Sequence, residues 1–349
     1  MKVLISAGEP SGDQLGAQVL ETLQGEALDF EGLAGPAMRA IGVHPLARVE
    51  DLSVMGVSEV IAALPRILGL RRTMMQALER RPALFVGIDA PDFNLPLARR
   101  AKALGVPVLL IGAPQVWAWR GGRAKGIADC ADRIVCLLPF EPPYFSKYGG
   151  DAVFQGHPAS ADFPDLGPAG QDWALLPGSR SAEIKRLLPE MLQAAKLLQS
   201  RHPGTVVRLP VAPGLDRALL QPAIQDGIEL VDTLEQALRP ARGALVASGT
   251  ASLQVACSGR PQVICYRVAP LTYSVGKTLV TGISHIGLPN LILPDAQIPE
   301  RIQHFDGAEL AALVEGVVDQ QQGLSARLHR ALRSDGAAAR IGESLMDLL

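Results

Sequence analysis

Short runs rich in Val, Leu, Ile and Ala recur along this chain, and each is followed by a longer segment of helical periodicity. The runs, such as KVLIS at residues 2–6 and LFVGI at 84–88, lack the polar alternation of a half-exposed strand. Uninterrupted apolar runs suit parallel strands, because a parallel sheet is covered by its crossover helices on both faces. Strands are expected at residues 2–8, 30–35, 84–89, 106–113, 133–138 and 152–155, and again at 173–176, 205–211, 228–231, 244–247 and 261–268. Strands alternating with helices imply right-handed βαβ units. The expected fold class is α/β, with two doubly wound Rossmann-like lobes facing a central cleft.

Length agrees, since 349 residues is twice an ordinary domain of about 150. The Pro-, Gly- and Asp-rich stretch SADFPDLGPAGQ, residues 160–171, marks the boundary between lobes. The expected division is a first lobe at 1–165, a second lobe at 166–323 and a C-terminal helical segment, 324–349, crossing back to the first. Apolar residues make up 48% of the chain and charged residues 19%, which supplies a core and excludes disorder. The net charge is −2 and neither half is basic, so nucleic acid is not an expected partner. Cys130, Cys136, Cys257 and Cys265 form no CxxC pair and no Cys/His zinc pattern. They are read as core residues of a cytoplasmic protein. The apolar run at the start is too short for a secretory signal, and no run reaches the ~18 apolar residues of a spanning helix.

Open parallel sheets bind ligands beyond the carboxyl ends of their strands, so chemistry is sought in the loops that follow them. The first is AGEPSGD, residues 7–13. It lacks the glycine spacing of a dinucleotide loop, and Glu9 and Asp13 would repel a pyrophosphate. Its acids and Ser11 suit sugar hydroxyls or a cation, and Ser11 or Asp13 serves equally as a helix cap. The second is GIDAPDFN, residues 87–94, where Asp89 ends a buried strand with Asp92 and Asn94 close behind. Asp89 is the expected general base; Asp92 and Asn94 either bind substrate or set the turn after Pro91. In the third, APQVWAWR at 113–120, Gln115, Trp117 and Trp119 offer flat aromatic faces and an amide to a sugar ring or acyl chain, with core packing as the alternative.

The second lobe offers LLPGSR, residues 175–180, where Gly178, Ser179 and Arg180 open a helix. Free backbone N–H groups and the helix dipole favour an anion there, and Arg180 adds a bidentate donor. Ser248, Gly249 and Thr250 repeat the pattern after a later strand, and the two loops together suggest a diphosphate site. GKT at 276–278 lacks the first glycine of a P-loop, and neither GxSxG nor HExxH occurs. His157, in GHP at 156–158, is the only histidine in an evident strand-end turn and reads as structural.

The segment 57–78 places Val60, Ile61, Leu64, Ile67 and Leu68 at near-helical spacing, interrupted by Pro65 and Gly69 and punctuated by Arg66, Arg71 and Arg72. Eight basic residues face three acidic ones between Arg66 and Lys102. A basic amphipathic hairpin of this kind can enter an anionic lipid surface, and ordinary packing on the sheet is the alternative.

Taken in order, AGEPSGD (7–13), LSVMGVSEV (52–60), GIDAPDFN (87–94), APQVWAWR (113–120), LPFE (138–141), GHP (156–158), LLPGSR (175–180), ASGTASLQ (247–254) and LPNLI (288–292) resemble the lipid-A-disaccharide synthases. The matches span nearly the whole chain, which makes the resemblance specific. It implies a GT-B fold and an inverting transfer from UDP-2,3-diacylglucosamine to 2,3-diacylglucosamine 1-phosphate, giving a β-1,6-linked disaccharide and UDP. It places the nucleotide in the second lobe and gives weight to Glu9, Asp89, Arg180 and Asn290. Glu300 and Gln303 follow the family pattern near the nucleotide, whereas Gln254 stands where the family usually carries Glu and weaker UDP binding is expected. The resemblance also implies attachment of residues 57–75 to the inner face of the cytoplasmic membrane, and leaves room for a homodimer. No cofactor is expected. No Asp-x-Asp metal site is evident, so activity is expected without an added divalent ion. Other UDP-sugar enzymes of the same fold, such as a UDP-GlcNAc 2-epimerase or a peptidoglycan glucosaminyltransferase, would share the phosphate loops, and a non-catalytic lipid- or nucleotide-binding protein is the remaining alternative.

Overall fold

The computed structural model describes the chain except residues 53–56, 113, 115, 118–121, 159–162, 213–214, 270–272, 274–284 and 322, and except the side chains of 57–63. The chain divides into two units, Met1–Ala159 with Leu332–Leu349, and Ser160–Ala331. The first boundary therefore falls at the start of the Pro/Gly/Asp-rich stretch, six residues before the expected division at 165/166, and the return to the first unit comes at Leu332, eight residues later than expected.

In the first unit the order is β1 (Lys2–Ala7), α1 (Pro10–Glu21), β2 (Asp29–Ala34), α2 (Pro36–Ala40), β3 (His44–Arg48), α3 (Val49–Leu52), α4 (Val57–Leu78), β4 (Leu84–Ile88), α5 (Pro91–Ala103), β5 (Val108–Ile111), α6 (Arg123–Ala128), β6 (Arg133–Cys136), α7 (Pro142–Ser146) and β7 (Ala152–Phe154). The sheet order is β3-β2-β1-β4-β5-β6-β7, and every pairing is parallel. Val3, Leu4, Ile5, Leu84, Phe85, Val86 and Ile88 are buried, as strands covered on both faces require.

The second unit contains β8 (Asp172–Leu176), α8 (Ser181–Arg201), β9 (Val207–Pro210), α9 (Gln221–Gln225), β10 (Glu229–Val231), α10 (Leu234–Leu238), β11 (Ala241–Ala247), α11 (Thr250–Cys257), β12 (Gln262–Tyr266), α12 (Leu288–Ile292), β13 (Glu300–Ile302), α13 (Gly307–Val317) and α14 (Leu324–Leu332). Its sheet order, β10-β9-β8-β11-β12-β13, repeats the doubly wound pattern with parallel pairs throughout. The last helix, α15 (Ala337–Met346), belongs to the first unit. Ile341 and Leu345 are fully buried in that unit's core, and the Arg340 Nε donates to the Gln155 carbonyl at 2.9 Å. The GHP turn receives this return: the His157 N–H donates to the Leu332 carbonyl at 3.0 Å, and burial pushes the imidazole down to about 4.

Two edge strands escaped the sequence reading. β3 carries Pro45 and half-exposed or exposed residues at all but one position, and β13 is only three residues long, so neither has the apolar run of a central strand. The expected hairpin at Pro65 and Gly69 is also corrected: α4 runs through both as one helix. Pro65 removes one backbone donor, but it lies on an exposed face where water can satisfy the released carbonyl, while Met74, Ala77 and Leu78 anchor the far end in the core. All four cysteines are buried and free.

Candidate active site

In a doubly wound sheet the strand order reverses beside the first strand, and that reversal opens a crevice at the carboxyl edge. In the first unit it lies between β1 and β4, so the loops 8–13 and 89–94 rise side by side. They touch closely: a Cβ on Gly8 would stand 2.0 Å from the Ala90 Cβ, so only glycine fits there. Asp89 and Ala90 both adopt left-handed backbone angles, with φ of 48° and 42°. Two consecutive L-residues in that region cost of the order of 1–3 kcal/mol each, a strain that persists only where the surroundings enforce it.

Several groups enforce it. The Asp89 N–H still pairs with the Ile111 carbonyl at 2.9 Å, continuing the β4–β5 ladder one step. Asn94, fully buried, donates through Nδ2 to the carbonyls of Asp89 at 2.8 Å, Ile88 at 3.1 Å and Ser6 at 3.2 Å, and its Oδ1 accepts from the Ser6 hydroxyl at 2.6 Å. Every polar position of Asn94 is thus used inside the protein, and its role is to shape the Asp89 turn. Gly112, at φ 75°, leaves the space the carboxylate occupies: a Cβ there would lie 2.3 Å from Asp89 Oδ1. Gly112→Ala is accordingly expected to displace the carboxylate and lower kcat at least tenfold, since misplacements of about 1 Å can cost 10²-fold. Steady-state turnover measured beside a thermal melt checks this; wild-type kcat in the folded variant would exclude the crowding.

The protein packed round the Asp89 carboxyl strips water from it and raises it to about 7, with the charge of Glu9 adding to the effect. Glu9 is exposed and precedes α1, whose first helical residue is Pro10. Ser11 is also exposed. Asp13 has a different task from the rest of its loop. It is buried and caps α2, accepting from the Gly35 N–H at 2.8 Å, Ala37 N–H at 2.8 Å and Met38 N–H at 3.2 Å. Asp92 stands in solvent, its carboxylate 3.2 Å from Arg123 and its carbonyl accepting from Arg71 at 2.9 Å. Trp117 follows β5 and donates its indole N–H to buried Glu141 at 3.0 Å. Gln115 and Trp119 lie outside the described residues, as do the side chains of Val60 and Ile61.

The second unit reverses between β8 and β11, which places the loops 177–180 and 248–250 together at its carboxyl edge. Gly178 is half-buried, and Ser179 and Arg180 are exposed at the start of α8. Arg180 pairs with Glu183 at 3.1 Å, an exposed pair worth little on its own. Gly249 precedes α11 with no side chain capping the free N–H groups of its first turn, and Thr250 is exposed. Gln254, one turn further on, is half-buried. The remaining residues form the frame. The Ser248 hydroxyl donates to the Ile286 carbonyl at 3.1 Å. Glu300 accepts from the N–H groups of Ile286 at 2.7 Å and Gly287 at 3.0 Å and from Asn290 Nδ2 at 2.7 Å. Asn290 is fully buried, exchanging two further bonds with the backbone of Ile298 at 2.8 and 2.9 Å. Gln303 brackets the backbone of Val268, accepting at 3.1 Å and donating at 2.9 Å.

Two buried charged residues had no part in the sequence reading of the site. Glu141 stood there only as the end of LPFE, and Arg260, 2% exposed, precedes β12 with no motif around it. Burial raises Glu141 to about 7 against the opposing pull of its Trp117 and backbone hydrogen bonds, and Asp89 adds a smaller upward push.

These loops can now be set beside known proteins. The lipid-A-disaccharide synthetase family model matches residues 3–333. The lipid-A-disaccharide synthase of Anaeromyxobacter sp. (strain K) is 39% identical over 375 residues, covering 100% of this chain and 97% of that protein. That of Alkalilimnicola ehrlichii is 40% identical over 326 residues, covering 87% and 85%. Among solved structures, a putative UDP-N-acetylglucosamine 2-epimerase from Listeria monocytogenes aligns with a TM-score of 0.64 at 12% identity, over 99% of this chain and 95% of that one. MurG from Acinetobacter baumannii aligns with a TM-score of 0.58 at 16% identity, over 99% of both. The solved structures share the two Rossmann-like units of the GT-B fold, and the sequence relatives carry the activity. By family model and full-length relatives alike, the chain belongs to the lipid-A-disaccharide synthase family of glycosyltransferases.

Proposed function

We propose that the chain condenses UDP-2,3-diacylglucosamine with 2,3-diacylglucosamine 1-phosphate, forming the β-1,6 disaccharide and releasing UDP, with Asp89 as the general base. The observation that carries the assignment of the base is the strained, partly desolvated carboxylate at the reversal point of the first sheet. Asp89 takes the proton of the acceptor 6-hydroxyl as that oxygen attacks the anomeric carbon from the face opposite the diphosphate. The bond to UDP breaks, and configuration inverts. Glu9 acts through Asp89: its charge makes the proton more tightly held and the base stronger at neutral pH. The leaving diphosphate is stabilised by Arg180 and by the backbone N–H groups that open α8 and α11. Incubation with the two acylated sugars and mass detection of disaccharide and UDP tests the reaction; absence of both products overturns it.

Arg180→Ala is expected to weaken UDP binding about tenfold or more, the worth of a charge-assisted bond to phosphate, with a smaller effect on acceptor KM. Calorimetric titration with UDP measures it, and an unaltered Kd removes Arg180 from the diphosphate site.

The second part of the proposal is peripheral attachment to the inner face of the cytoplasmic membrane through α4. Among the described residues no helix is long and apolar enough to cross a membrane. Leu64 and Leu68, one turn apart on α4, are 49% and 51% exposed, with half-buried Ile67 beside them and exposed Arg66 and Arg72 close by. Burying each leucine in lipid would contribute about 1.5–3 kcal/mol, and each arginine near anionic headgroups about 1 kcal/mol. Leu64→Ser with Leu68→Ser should therefore shift the protein from pelleted anionic vesicles to the supernatant. Unchanged co-sedimentation would remove α4 as the contact.

A further inference from the structure

Glu141 has an arrangement that no step so far has used. It is 2% exposed, yet both carboxylate oxygens are engaged: Oε1 accepts from the Trp117 indole N–H at 3.0 Å and Oε2 from the Leu138 N–H at 3.0 Å. The second bond closes the turn after β6 on itself, and the first reaches across to the loop after β5. Phe140, next to Glu141, meets the Trp117 ring edge-on, with centroids 5.1 Å apart and planes at 82°. An indole held at its N–H by a buried carboxylate and at its ring by an aromatic edge has one orientation. β5 is the neighbour of β4 in the sheet, so the loop that carries Trp117 follows the strand beside the one that Asp89 follows. Burying a carboxylate is costly, and an apolar side chain would pack this turn without that cost. The expense is explained if the indole must be fixed in place.

We propose that Glu141 is a positioning residue for the acceptor, acting through Trp117, whose indole it orients as a flat wall for the acylated sugar. The proposal rests on the transferase reading above and adds to it the residue that sets acceptor specificity. Trp117→Phe keeps a ring but removes the donor, and Glu141→Ala removes the acceptor. Each is expected to raise acceptor KM, or lower kcat/KM for the acceptor, about tenfold while leaving UDP Kd unchanged. Because both break one bond, the double variant is expected to be no worse than the poorer single one. Glu141→Gln keeps one oxygen for the indole N–H, although its amide nitrogen cannot accept from the Leu138 N–H, and is expected to recover part of the acceptor kcat/KM lost in Glu141→Ala with UDP binding unchanged, a split that a role confined to folding would not give. Thermal melts on the same samples establish that each variant is folded, and Trp117→Phe carries the test where Glu141→Ala fails to fold. Wild-type acceptor kcat/KM in the folded Trp117→Phe variant, equal losses toward donor and acceptor in a folded variant, or simple additivity would each overturn the proposal. Failure of the wild-type protein to form any disaccharide would instead overturn the reaction, so the two failures are told apart in one assay.

Discussion

Asp89→Asn is expected to lower kcat by about 10²–10⁴-fold, the usual contribution of a positioned general base, while UDP binds with unchanged affinity. The same substitution should make the protein more stable at pH 8. In the folded state the Asp89 carboxyl is raised from its ordinary value of 3.8 to about 7 by desolvation and then by Glu9. A carboxyl raised on folding favours the folded state below its unfolded value, and that advantage is lost as pH rises towards the folded one. The loss spreads over about pH 4 to 7, and at 1.36 kcal/mol per pH unit it amounts to roughly 4 kcal/mol. Asparagine has no charge to desolvate and tolerates the left-handed backbone better than most residues. Urea unfolding should show the variant above the wild type at pH 8, with the gap closing towards pH 4. The wild-type acid limb of kcat/KM should lie near pH 7 and move to lower pH in Glu9→Gln, where the neighbouring charge is gone. A variant that keeps its turnover, or a pH-independent stability difference, would sink the assignment of the base.

The second large effect concerns folding of the second unit. Arg260→Ala is expected to cost about 3–5 kcal/mol, comparable to breaking a buried charge cluster. The guanidinium is 2% exposed and spends its donors on four backbone carbonyls: Nε on Leu238 at 2.8 Å, Nη1 on Gly167 at 2.9 Å, and Nη2 on Arg239 at 3.2 Å and Pro168 at 3.4 Å. Gly167 and Pro168 belong to the segment that enters the second unit, and Leu238 and Arg239 lie at the end of α10, so one planar fork joins the two. Burial lowers its proton affinity, opposed by Asp165 nearby, so the ion is retained against a desolvation cost. Alanine would leave four carbonyls short of donors in a site too enclosed for easy hydration. Lysine restores the charge but lacks the fork and should recover less than half of the loss. Urea unfolding followed through Trp173, 1% exposed in this unit's core, measures the effect; a loss under about 1 kcal/mol would mean that water replaces the guanidinium.

Much of this molecule is written in local sequence. Central parallel strands are apolar on both faces, so their runs stand out, and among the described residues eleven of the thirteen strands are visible that way within a few residues. The strands that were not visible, β3 and β13, lie at sheet edges, where burial is partial and no apolar run is needed. Loops at carboxyl ends are equally legible, because an Asp directly after LFVGI, or Pro-Gly-Ser-Arg directly after WALL, has few roles besides capping and binding. The class of fold, the switch-point loops and the family therefore follow from order and spacing along the chain.

What a given polar side chain does at those loops was decided only by tertiary contact. Asp13 and Asp89 are both acids in strand-end loops, yet one is consumed by the first turn of α2 and the other is held in a left-handed turn by Gly8, Asn94 and Gly112. Asn290, Glu300 and Gln303 are likewise committed to backbone groups distant in sequence. Arg260 gives no signal in sequence, and LPFE marks Glu141 without telling that it is buried, since a Glu or Arg is ordinarily a solvated surface residue. Periodicity records which face of an element is buried, a property of the local chain. Hydrogen-bond satisfaction and the desolvation of a charge depend on atoms brought together from far along it, and these arise only when the chain has folded.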